Sequence, residues 1–179
     1  MSDFIYSNDD ILNMLDNLLQ DRRGKWWDGF FDDRTKACPF FVEWPDESLV
    51  EQFETGLIKP GRVLELGCGH GRNSVYMAEK GCEVDAVDFS QTAIDWARER
   101  TDKARLNVRY ICSSIFDLEF PEPAYDIVYD CGCFHHIAPH RRQSYVELIL
   151  RALKPGGMFG LVCFAPDGGS GLTDMEVYE

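Results

Sequence analysis

Two short segments of this 179-residue chain concentrate the residue types that do chemistry. The first, Glu65-Leu66-Gly67-Cys68-Gly69-His70-Gly71, sets a carboxylate ahead of three alternating glycines. Glycine lets the main chain turn sharply and lets a ligand approach backbone that a side chain would obstruct. Twenty-one positions past Gly67 stands Asp88. At that spacing an acid ending the next strand reaches the ribose hydroxyls of an adenosine-type ligand. The second segment, Asp130-Cys131-Gly132-Cys133-Phe134-His135-His136, holds two thiols and two imidazoles. His135 and His136 are candidate catalytic proton acceptors, because an imidazole titrates near neutral pH. The alternative is that they only cap loop or helix backbone. Cys131, Cys133, His135 and His136 are also metal-ligand types, but their spacing lacks the C-x-x-C pattern of common zinc sites, so no metal site is predicted.

Stepping outward, each segment needs a strand to carry it. Gly61 to Leu66 reads as a buried strand, Asn73 to Lys80 as the helix after the glycine turn, and Glu83 to Val87 as a second strand ending at Asp88. Ser90 is a predicted N-cap for a helix over Gln91 to Arg100. Asn107 to Cys112, Tyr125 to Tyr129 and Met158 to Phe164 are the third, fourth and fifth strands. Arg141 to Leu153 is a helix closed by a stop and turn at Lys154-Pro155-Gly156-Gly157. Strands alternating with helices imply an α/β doubly wound, mostly parallel sheet, with ligands held beyond the carboxyl ends of the strands.

Ahead of this core, Asp9 to Gln20 predicts an amphipathic helix. Arg22 to Trp44 then reads as irregular, aromatic-rich cover, with Pro39 and Pro45 as breakers. Asp46 to Phe53 is a helix leading into the core. The aromatic segment, taken whole, is a candidate lid that dries the site. A single domain is expected: a helical and aromatic cap over 1–56, a cofactor-binding core over 57–164, and a loop over 165–179.

The formal net charge of −13 disfavours a nucleic-acid partner. Seven cysteines, an odd number, in a chain without a secretory h-region point to free thiols in a reducing cytoplasm. No apolar run is long enough to span a bilayer, so no membrane partner is expected.

A dinucleotide fingerprint asks for glycine where Arg72 stands, which disfavours a nicotinamide dehydrogenase. Glu65 beside the loop would repel a pyrophosphate and attract ammonium and sulfonium charges. With E-L-G-C-G-H-G, V-D-A-V-D-F-S, D-I-V-Y-D and L-K-P-G-G taken together, Asp46 to Phe164 resembles the class I S-adenosylmethionine-dependent methyltransferases. The W-W-D-G-F-F-D-D-R run and the later C-G-C-F-H-H-I look like the small-molecule subset akin to tellurite-resistance and thiopurine methyltransferases.

The resemblance implies a Rossmann-like fold, S-adenosyl-L-methionine as cofactor and S-adenosyl-L-homocysteine as product. It puts Glu65, Gly67, Cys68 and Gly69 against the methionine part, Asp88 on the ribose and Phe89 near the adenine. Asp130 is placed in the same cofactor site. Relatives place an acid after the third strand, but this chain has none before Asp117, so Ser114 and Ile115 are expected to take over there. The acceptor implied is a small molecule with a soft nucleophile, a thiol or a metalloid oxyanion. Arg141 and Arg142 are candidates for an anionic acceptor, with a solvated helix start as their plainer role. The family's sheet continues past the fifth strand with an antiparallel pair, whereas this sequence stops at Glu179. A sheet lacking its last two strands would leave an apolar edge open to homo-oligomer formation. A cofactor-binding module without turnover is the alternative.

Overall fold

The computed structural model describes residues 7–18, 25–120 and 122–164. The loop expected over 165–179, and Leu19 and Gln20 at the end of the first expected helix, lie outside the described residues. The elements run α1 (Asn8–Leu18), α2 (Lys25–Asp32), α3 (Glu47–Glu54), β1 (Arg62–Leu66), α4 (Arg72–Glu79), β2 (Glu83–Asp88), α5 (Gln91–Ala104), β3 (Arg109–Cys112), β4 (Tyr125–Cys131), α6 (Arg142–Ala152) and β5 (Leu153–Val162). All strand pairs are parallel, in the order β3-β2-β1-β4-β5. The chain winds outward from β1 through β2 to β3, then returns to the other side of β1 for β4 and β5. The order therefore reverses between β1 and β4, and a crevice opens there above the carboxyl ends of the strands.

Strand alternation sorts the core into two layers. Val63, Val84, Ala86, Ile127 and Tyr129 point to the side of α4 and α5, where they pack with Met77, Ile94 and Ala97. Leu64, Leu66, Val87 and Val128 point the other way, onto Tyr145, Leu148 and Ile149 of α6. The near-continuous apolar runs of β1 and β4 follow from burial on both faces.

Three expectations are corrected. Residues 25–32 are helical rather than irregular: Trp26 stacks on Phe30 at 5.5 Å, and Trp27 meets Phe30 at 5.5 Å and Phe31 at 6.3 Å. Those pairs are three and four positions apart, the spacing at which helical side chains touch, and their packing outweighs the unfavourable Gly29. Lys154 to Gly157 is not a turn between helix and strand but part of β5. The register slips between Tyr125 and Ile127, and Gly156 takes up the irregularity at φ +81°. The third strand begins at Arg109, two residues later than expected.

The cap attaches to this frame in two ways. Over residues 40–46 the backbone is bonded by core side chains. His70 Nε2 meets the carbonyl of Phe40 at 2.7 Å, and Arg100 donates to the carbonyls of Val42 and Glu43. Arg72 donates to that of Trp44, while Asn73 Oδ1 accepts the N–H of Asp46 at 2.8 Å. Asp28 of α2 accepts from Ser90 Oγ and the N–H of Thr92 at the start of α5. Arg34 forms a two-pronged pair with Glu99 at 2.6 and 3.0 Å. The other way is α1. Ser7 Oγ accepts the N–H of Asp10 and the Asp10 carboxylate accepts that of Ser7, a reciprocal cap. Its one buried side chain, Asp16, reaches His140 and Arg141 beyond β4. Among the described residues no helix is long and apolar enough to cross a membrane.

Candidate active site

Between cap and sheet lies a cavity of about 740 Å³, within the range that holds a cofactor-sized molecule. Its floor is the turn from β1 to α4. Gly67 at φ +64° and Gly71 at φ +78° lie in the left-handed region that side chains avoid, and both are also closely approached. A Cβ on Gly67 would sit 2.6 Å from Cys133 Cβ, and one on Gly71 would sit 2.8 Å from Ala97 Cβ. The first contact is what lets the two chemistry-bearing segments lie side by side. The second seats the loop on α5.

Two acids face this floor from the same side of the sheet. Glu65 is 2% exposed, and its carboxyl accepts from Ser74 Oγ of α4. Burial pushes its pKa up to about 8, with the Ser74 bond and the Arg72 charge opposing. Asp88 accepts the N–H of Gly69 at 2.8 Å and that of Ser90 at 2.9 Å, and burial raises its pKa to about 6 despite those bonds. Asp88 thus also fixes the glycine turn, a role its spacing did not reveal.

Asp130 is where sequence and structure part. It follows Val128 on the α6 side of β4, opposite Glu65 and Asp88, and is wholly buried off the cavity wall. Its oxygens accept the N–H of Cys133 at 2.8 Å, the N–H of Phe134 at 3.3 Å and the hydroxyl of Tyr145. Expected in the cofactor site, it stands behind the cavity wall and holds the loop after β4. The alternation of β4 decides this: an even number of positions from Val128 keeps Asp130 on that residue's face.

The other expected residues line the cavity. Phe89 is part-exposed just past β2. Cys68 is buried in the glycine turn, its thiol pKa raised well above the usual range by burial. Ser114 caps a short 3-10 helix over Ile115–Asp117, accepting the N–H of Phe116 at 3.1 Å, and Ile115 packs beneath it. His135 and His136 sit together in a 3-10 turn over Phe134–His136, ring centres 4.3 Å apart. His136 is edge-on to Trp27 at 4.8 Å, and His135 lies 4.4 Å from Phe164. Burial lowers the His135 pKa, so its ring is neutral at neutral pH.

A family model described as a methyltransferase domain matches residues 63–157, more than half of the chain. The chain belongs to this methyltransferase-domain family. It is 37% identical over 106 residues to an uncharacterised methyltransferase of Synechocystis, covering 59% of this chain and 48% of that one. It is 30% identical over 143 residues to a probable thiol methyltransferase of Arabidopsis thaliana, covering 79% and 63%. Among solved structures, it superposes on phosphoethanolamine N-methyltransferase 2 of Haemonchus contortus with a TM-score of 0.56 and 31% identity. That match covers 63% of this chain and 27% of the other, which was solved with phosphomonomethylethanolamine and S-adenosylhomocysteine. The chain spans about half the length of the curated relatives it matches.

For this methyltransferase domain, the residues present fit an adenosyl sulfonium. The glycine turn offers bare backbone, and the two acids beside it are buried and raised in pKa, so a nearby cation would relieve them. The sequence reading missed four cavity residues. His70 lies within the glycine turn, 3% exposed, its pKa lowered to about 4 by burial. Its position in the loop was visible, its bond to the cap was not. Asp46 caps α3 and accepts weakly from Tyr129 and Cys131, while Asp16 and Asn13 enter from α1. No local signal marks the last two, because their partners lie more than 120 positions away.

Proposed function

We propose that this protein is an S-adenosylmethionine-dependent methyltransferase acting on a small molecule with a soft nucleophile, most simply a thiol. The observation that carries the reading is the pair of buried acids, Glu65 and Asp88, on one face of the sheet beside a left-handed glycine turn. When bound, S-adenosylmethionine supplies a methyl group on a positively charged sulfur. Glu65, Cys68 and the Gly67 and Gly69 backbone form the part of the cavity suited to its methionine end. Asp88 and Phe89 suit the ribose and adenine, with Ser114 and Ile115 at the adenine edge.

The chain's remaining work is to align the acceptor, exclude water and take up its proton. His135, neutral and on the cavity wall, is the proposed proton acceptor for an acceptor thiol, with His136 alongside. The aromatic cap of Trp27, Phe31 and Phe40 supports the drying of the cavity. A thiol acceptor is supported by the printed name of the Arabidopsis relative.

The wider setting follows the same logic. The whole chain is read as one methyltransferase domain with an N-terminal cap. All seven cysteines are free, which supports a reducing cytoplasmic location. The strong negative charge disfavours nucleic acid. Part-exposed Phe159 and Leu161 on edge strand β5 support self-association along that edge.

Calorimetry with S-adenosylmethionine, followed by labelled-methyl transfer to a thiol panel, tests the reading. Asp88→Ala is expected to weaken cofactor binding by about 1.5–3 kcal/mol, the worth of hydrogen bonds to a charged group. His135→Ala is expected to lower turnover with affinity retained. Binding without transfer to any acceptor would favour the alternative, a cofactor-binding module; no binding at all would end both.

A further inference from the structure

The cavity has two ends, and its charges are distributed unequally between them. At the glycine turn Arg72 stands close enough to Glu65 to oppose the rise in its pKa, and its own donors go to the Trp44 carbonyl at 3.2 Å and toward Cys131 Sγ at 3.6 Å. At the other end, where α1 meets His140 and Arg141, the guanidinium among the described lining residues is Arg141. Its Nε and Nη2 are engaged. Nε donates to both Asp16 oxygens at 3.2 and 3.1 Å, Nη2 donates to Asp16 at 2.6 Å and to Asn13 Oδ1 at 2.8 Å, and the group lies over the Phe116 ring. His140 Nε2 bonds the same carboxylate at 2.6 Å. The Arg141 and Asp16 side chains are 13% and 5% exposed.

Swinging Arg141 toward an incoming anion would leave the buried Asp16 carboxylate its His140 bond without the guanidinium, a loss on the order of what the new pair would gain. Exposed Asp9 and Asp117 stand on the same wall, and a net charge of −13 adds repulsion at longer range. Trp27, Ile137, Val162 and Phe164 give this end an apolar surface.

We infer that the acceptor is an uncharged or cationic thiol with an apolar body, that anionic thiols and oxyanions are rejected, and that Asp16 sets this specificity by keeping Arg141 from acting as an anion clamp. This rests on the methyltransferase reading above, and it selects between the two soft nucleophiles that reading allows.

The test uses the full chain saturated with S-adenosylhomocysteine, titrated at pH 7 under a phosphine reductant with phenylmethanethiol, 4-(aminomethyl)phenylmethanethiol and 4-(mercaptomethyl)benzoate, whose benzylic thiols stay protonated. These share one nucleophile and one ring and differ in charge. The benzoate is expected to bind at least about tenfold more weakly than phenylmethanethiol, the benzylamine at least as tightly. Asp16→Asn is expected to bring the benzoate to within about threefold by leaving Arg141 with net positive charge. Because Asp16→Asn also touches the seat of α1, Asp117→Asn serves as a second variant. It lies on the surface, and it is expected to narrow the gap by a smaller factor. Benzoate binding as tight as phenylmethanethiol, or no binding of any of the three thiols while S-adenosylhomocysteine binds, would overturn the inference. Failure of S-adenosylhomocysteine itself to bind would instead overturn the methyltransferase reading.

Discussion

The two halves of the cap cover one cavity but are fastened by different physics. Residues 25–46 are tied down redundantly, by a chain of backbone carbonyls bonded to His70, Arg100 and Arg72, by Asp28 at the start of α5, and by a run of edge-to-face rings from Phe30 through Phe41 to Trp96. Among the described residues, the hydrogen bonds from α1 to the body run through Asp16 and Asn13 to His140 and Arg141, and Ile11, Met14 and Leu18 remain exposed. A wall held by many weak bonds loses little when one is cut, whereas an element held through one buried ion pair is released by a single change.

The largest expected effect falls on the redundant half, at its one buried ring. Phe31→Ala empties the space over Gly69 and is expected to cost about 3–5 kcal/mol of global stability by denaturant unfolding. Asp16→Ala should cost about 3 kcal/mol, yet locally, because it leaves Arg141 buried without its counter-charge. Hydrogen exchange and limited proteolysis should show α1 opening with the sheet's protection unchanged; an equal fall in global stability would erase the contrast. A pH scan separates floor from wall. Glu65 and Asp88, with pKa values raised to about 8 and about 6, keep protons that the unfolded chain has released above its ordinary carboxylate range. Unfolding stability of the free protein should therefore be highest near pH 4–5 in this contribution and decline as pH rises toward 8. Added S-adenosylmethionine should flatten that decline, a trend readable from melting temperatures. His70, held near pKa 4, stays neutral in the folded chain while the unfolded chain's imidazole takes up a proton below its ordinary 6.5, so the wall's contribution should rise with pH from about 4 to about 6.5 and oppose the decline there. His70→Ala is the smallest effect, about 1 kcal/mol for one bond among many.

The frame of the molecule was legible because its signals are local. The apolar run of β1, the N-cap at Ser90 and the spacing from Gly67 to Asp88 lie within a few turns of chain, and β1, α4, β2 and β4 formed within a few residues of their expected places. The bond from Asp130 to Tyr145 was not legible, because a residue at a strand end reads the same whichever face it takes, and the alternation that sends it there is counted from packing rather than from composition. The helix α2 was missed because Gly29 and adjacent bulky rings speak against a helix until those rings find one another.

The sequence by itself determined the floor of the site: a glycine turn whose conformation only glycine tolerates, and acids at spacings that bring them to strand ends. Tertiary structure alone decided what closes over that floor. Asp16 met Arg141 across 125 positions and the thiol-bearing loop came to rest against Gly67, contacts set by the packing of the whole sheet and its cap. Local geometry is written in neighbouring residues, but the pairing of distant charges depends on which faces the folded layers bring together.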